Sequence, residues 1–136
     1  TIARQKQAGH YHRYTNIGAG MEAARTELTT NGRPGALKMM VLMTDGNSNW
    51  INGGYNEAGA NQYVYDEAAA AAAAKIPIVT ISLGSSADTT IMADVAQTTN
   101  GTHFNVPGGQ AVSDYAEQLK DVFEELANDR PLKLVQ

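Results

Sequence analysis

At 136 residues the chain has room for one domain, and a domain of this size buries about two-thirds of the surface its unfolded chain exposes. Hydrophobic residues make up 43% and charged residues 18% of it, a globular balance rather than that of a disordered segment, and a net charge of −4 speaks against a nucleic-acid footprint. With no cysteine, disulfides and thiolate metal sites are excluded, and no stretch is apolar for long enough to span a membrane.

In chain order, Thr1–Tyr14 is polar and aromatic without a period and reads as loop. Asn16–Thr30 is helical: Ile17, Met21, Ala24 and Leu28 recur on one face. Asn31-Gly32-Arg33-Pro34-Gly35 stops it. The run Met39–Met43, within a strand expected over 37–44, is uninterruptedly apolar and predicts a strand buried on both faces, as in a parallel sheet. Residues 47–61 form a Gly/Asn-rich loop carrying the one tryptophan, Trp50. Gln62–Lys75 is a helix built on the alanine run Ala68–Ala74, with Asp66 and Glu67 just before that run. Alanine is the best helix former, and acids suit a helix N-terminus. Pro77–Gly84 is a β-branched strand. Asp88–Thr99 is a short helix with Ile91, Met92 and Val95 inward, and Gly101–Val106 a short strand. Ala111–Asn128 is a helix whose stripe is Val112, Tyr115, Leu119, Val122, Phe123 and Leu126, and Arg130–Gln136 is a tail. There is no internal repeat and no linker.

Alternating helices and strands imply an α/β fold, three-layered, with a mostly parallel, doubly wound sheet. In such sheets ligands bind beyond the C-terminal strand ends. Asp45, in Thr44-Asp45-Gly46, stands at such an end. The same dipeptide also reads as a plain turn, with Asp chosen for its local hydrogen bonds.

Upstream, Thr15-Asn16-Ile17-Gly18-Ala19-Gly20-Met21 opens the first helix, one helix before the Asp45 strand. The combination T-N-I-G-x-G-M, amphipathic helix, apolar strand and T-D-G resembles the von Willebrand factor A (VWA) domain family, whose fold is Rossmann-like. In that family the Thr of T-N-I and the Asp of T-D-G are two of three elements of a metal-ion-dependent adhesion site, so the resemblance implies Thr15 and Asp45 as Mg²⁺ ligands. Tyr65–Leu83, Asn100–Pro107 and Ala127–Val135 are similar to the C-terminal half of bacterial TadG-like, Flp-pilus-assembly-type members. The third element, Asp-x-Ser-x-Ser on the first strand, does not occur in the chain. Residues 1–136 are therefore expected to form a single, N-terminally truncated VWA-like domain with an incomplete site that binds Mg²⁺ weakly or not at all. Its Asp45 strand would then be an open edge, a template for pairing with a second copy.

Other chemistry competes. Gly18-x-Gly20-x-x-Ala23 followed by Asp45 matches a loose dinucleotide fingerprint, but His10–Tyr14 before it is not the apolar strand that motif needs. The blander account is that Gly18 and Gly20 allow close packing at a helix start. Asp45-x-Asn47-x-Asn49 opens like an EF-hand loop, yet Trp50 and Asn56 stand where the turn glycine and the bidentate acid belong. A looser oxygen-ligand role for Asn47 or Asn49 stays open beside that of a solvated loop. His10, His12 and His103 suffice in number for zinc, though the first two lie in an undefined polar loop. Ser85-Ser86 follows a strand end without a G-x-S-x-G around it, so helix capping at Asp88 is the better account.

The expectation is a non-enzymatic, protein-binding VWA domain of a bacterial cell-envelope or pilus-associated protein. By resemblance its partner offers an acidic group that completes the coordination of Mg²⁺. The competing class is a nucleotide-binding Rossmann-type enzyme.

Overall fold

In the computed structural model, residues 14–108 and 111–128 are described. Of the loop expected over Thr1–Tyr14, residues 1–13, with His10 and His12, lie outside them, as do the tail expected from Arg130 and most of the segment 127–135.

Among the described residues four helices, α1 (Ile17–Thr30), α2 (Glu57–Ala73), α3 (Thr89–Thr98) and α4 (Val112–Asn128), alternate with three strands, β1 (Met40–Thr44), β4 (Ile78–Leu83) and β5 (His103–Val106). Two further short strands, β2 (Trp50–Ile51) and β3 (Gly54–Tyr55), form a hairpin between β1 and α2. The main sheet is ordered β1-β4-β5. Both pairings are parallel, with Met40 opposite Ile78 and Thr80 opposite His103.

The pleat sends alternate residues to opposite faces, and the core divides accordingly. Met40, Leu42 and Ile78 pack with Ile17 and Met21 of α1, Val64, Ala68 and Ala71 of α2, and Ile91 and Val95 of α3. Ile81, Leu83, Phe104 and Val106 pack with Leu119 and Val122 of α4 on the other face. Helices thus cover both faces, the three-layer α/β arrangement expected.

The two helix–strand returns share one device. After α2, Ile76 N donates to Ala71 O at 2.9 Å and Lys75 N to Ala72 O at 3.0 Å. After α3, Gly101 N donates to Ala96 O at 2.8 Å and Asn100 N to Gln97 O at 3.3 Å. Lys75 and Asn100 have φ of 57° and 55°. These are Schellman ends, which satisfy the last carbonyls and turn the chain sharply back into a strand. At Gly101 a Cβ would lie 1.9 Å from Ile78 O, so only glycine lets this return cross β4.

Three expectations need correction. First, β1 is not buried on both faces: Met39, Val41 and Met43 are 38%, 43% and 51% exposed. They share one face, and α4 covers that face only over β4 and β5. Second, residues 47–61 are not all loop. Asn52 and Gly53 have φ of 53° and 76°, the left-handed pair of a tight hairpin turn, and α2 begins five residues earlier than the alanine run suggests, at Glu57. Asn56 caps it, its side chain accepting from Gly59 N at 2.9 Å. Third, Phe123 of the α4 stripe is 49% exposed, whereas Val122 and Leu119 face the sheet.

Candidate functional site at the C-terminal edge of the sheet

The end of β1 is shaped by its own residues. Thr44, nearly buried, folds its hydroxyl over the turn: Oγ1 donates to Gly46 O at 3.1 Å and accepts from Gly46 N at 3.2 Å. This local bond ends the strand and leaves Asp45 exposed at the tip. The threonine before the aspartate therefore has a definite task, to form the turn that carries the acid.

Thr15 comes to the same place from the other side. It precedes α1, whose cap is Asn16, with Asn16 Oδ1 accepting from Ala19 N at 3.0 Å. A methyl group built on Gly46 would lie 3.7 Å from Thr15 Oγ1, so the Thr15 hydroxyl rests beside the Asp45-Gly46 turn. Both backbone groups of Thr15 are held by the loop after that turn. Thr15 N donates to Asn49 Oδ1 at 2.8 Å, and Thr15 O accepts from Asn49 N at 2.9 Å and Trp50 N at 3.1 Å. The rings of Tyr14 and Trp50 stack with centroids 4.2 Å apart.

Sequence reasoning did not join Asn49, Trp50 and Tyr14 to the seat of Thr15. The signal was present in part, because Asn52-Gly53 between Ile51 and Gly54 is a strong hairpin cue, but two-residue strands are too short to show alternation. The side-chain oxygen of Asn49, weighed as a cation ligand, is turned to the Thr15 amide.

Gly18 and Gly20 separate in role. A Cβ on Gly18 would lie 2.5 Å from the Tyr63 ring, whereas one on Gly20 meets nothing within 4 Å. Close packing at the helix start is thus real at Gly18 alone. Tyr63 of α2 packs directly against Gly18. Its hydroxyl donates to Glu22, and that bond, with burial, pushes the phenol up to about 12.

Elsewhere, Ser82 Oγ and His103 Nε2 are 3.0 Å apart across β4 and β5. Burial pushes the His103 imidazole below its ordinary range. Ser82 is completely buried and His103 partly so, and the pair ties the two strands together. Asp88 caps α3, accepting from Ile91 N at 3.0 Å, which is the capping role expected there, and Ser85 and Ser86 are exposed beside it.

A parallel α/β sheet with a carboxylate and a hydroxyl at its C-terminal edge defines a doubly wound α/β domain with its loop site at the strand ends. The family model of the von Willebrand factor type A domain matches residues 4–124, and the chain belongs to that family. Such domains are in general protein-interaction modules. No curated protein matches the chain.

Proposed function

We propose that this chain is a non-enzymatic protein-binding domain whose sheet edge at Thr15 and Asp45 forms part of a Mg²⁺-dependent adhesion site. The observation that carries the reading is the seat of the Thr15 hydroxyl beside the Asp45-Gly46 turn, in a chain of this family. A hydroxyl and a carboxylate are hard oxygen donors and fit Mg²⁺ in kind. When bound, the ion would offer a position to an acidic group of a protein partner. Mg²⁺ wants near-octahedral oxygens at about 2.0–2.1 Å and keeps several waters, so two donors hold it weakly. The resemblance of Tyr65–Leu83, Asn100–Pro107 and Ala127–Val135 to bacterial TadG-like, Flp-pilus-assembly-type proteins supports a place in the cell envelope.

The experiment is calorimetric titration of the chain with an aspartate-bearing peptide in excess Mg²⁺, repeated with the asparagine counterpart, with EDTA and with Asp45→Ala. Binding that needs the peptide carboxylate, Mg²⁺ and Asp45 together is expected. Binding indifferent to all three overturns the reading.

The exposed flank of β1 favours a second surface. Met39, Val41 and Met43 are exposed on β1, which among the described residues pairs with β4 alone, and an unpaired strand edge is a template for another strand. A second copy of the chain is the proposed occupant, since it brings an equally apolar strand.

A further inference from the structure

We infer that Asn49 is the positioning residue that fixes Thr15 against the Asp45-Gly46 turn. The relevance of that position to a metal rests on the reading above; the clasp itself does not. Asn49 grips both main-chain groups of Thr15, its side-chain oxygen accepting from Thr15 N and its own N–H donating to Thr15 O. Trp50 N adds a second donor to the same carbonyl. The main chain of Thr15 is thereby saturated, and among the described residues no hydrogen bond engages its hydroxyl, the atom left to face the turn.

Asn49 is itself anchored. Its carbonyl accepts from Asn56 N at 3.0 Å, and Asn56 caps α2. Ser48 beside it is buried, with its hydroxyl directed at Ala60 O, 3.5 Å away. The loop after β1 is therefore tied to α2, and through Asn49 it carries the segment before α1 with it. Two stretches 34 positions apart are held in register by two backbone donors to the Thr15 carbonyl and by the one side-chain oxygen that receives its amide. An acceptor one carbon beyond Cβ reaches the Thr15 amide while the backbone N–H of the same residue reaches the Thr15 carbonyl. Aspartate keeps that acceptor, whereas alanine removes it.

The test uses the full chain and nuclear magnetic resonance. In the wild type, nuclear Overhauser contacts join Thr15 to Gly46, and the Thr15 amide exchanges slowly. Asn49→Ala is expected to abolish those contacts and to speed exchange of the Thr15 amide roughly tenfold. The emission of Trp50 should shift, while the amide pattern of β4 is kept as proof of folding. Asn49→Asp is expected to retain contacts and slow exchange. Persistence of the Thr15–Gly46 contacts in Asn49→Ala, or their equal loss in Asn49→Asp, overturns the assignment. Mn²⁺ added to the wild type and to Asn49→Ala supplies the separate arm. Broadening of Thr15 and Gly46 signals in the wild type, with loss at Thr15 alone in Asn49→Ala, is expected. Absence of broadening in the wild type overturns the metal reading and leaves the clasp standing on the exchange data.

Discussion

Arg25 of α1 forks onto Glu67 of α2, Nε donating to Oε2 at 2.8 Å and Nη2 to Oε1 at 3.2 Å. The two side chains are only 25% and 11% exposed. Glu67 stands at the head of the alanine run, where small side chains bring α2 into the core and leave its carboxylate no other basic neighbour on that helix. Removing one partner of a nearly buried pair costs more than the pair contributes, because the remaining charge is stranded. Arg25→Ala is therefore expected to lower stability by about 2–3 kcal/mol, discounted from a fully buried pair for its partial exposure. The double change to methionine at both positions should recover most of that loss. Urea denaturation of the three proteins checks it.

The burial of His103 makes stability depend on pH. Ser82 Oγ and His103 Nε2 share a hydrogen bond, and burial holds the folded pKa of the imidazole below the ordinary 6.5. The unfolded chain then binds the proton more readily, so stability rises with pH through this window. The contribution is complete above about 6.5 and is lost as pH falls through the lowered folded value. Denaturation midpoints between pH 7.5 and 5 should fall further for the wild type than for His103→Gln. Equal slopes would show that His103 does not contribute.

Gly20 and Gly101 are expected to respond oppositely to alanine. Gly20 lies inside α1 with open space at its Cβ position, and alanine there should add about 0.5–1 kcal/mol by restricting the unfolded chain. At Gly101 the new Cβ would press on the Ile78 carbonyl, a backbone atom in the central strand, and a loss of about 2–3 kcal/mol is expected. Thermal melts of both variants beside the wild type decide the signs.

The flank of β1 predicts association. Val41→Lys and Met43→Glu place charge where apolar side chains now meet solvent, and charge on an edge opposes strand pairing. Light scattering should show the wild type forming dimers or larger species as concentration rises and the double variant remaining monomeric. A wild type that stays monomeric at millimolar concentration would remove the second copy as occupant.

The alternation of helix and strand, and the places of α1, α3, α4, β4 and β5, were legible in the sequence because each follows from local pattern. A 3.6-residue apolar period makes one face of a helix, β-branched runs fit a strand, and Asn31-Gly32-Arg33-Pro34-Gly35 ends a helix by chemistry of its own. The family was legible from T-N-I-G and T-D-G. The exposure of Val41 and Met43 was not, because periodicity records that residues are apolar and not whether a neighbour covers them. The early start of α2 was hidden by its polar first turns, Glu57 to Gln62, which only the Asn56 cap and burial of Ala60 and Val64 make helical. The role of Asn49 was hidden for a deeper reason. A side-chain oxygen three residues beyond Gly46 can face solvent, a cation or a distant amide, and the choice of Thr15 N was made only when packing of α1 and α2 against β1 and its neighbours brought residues 15 and 49 together.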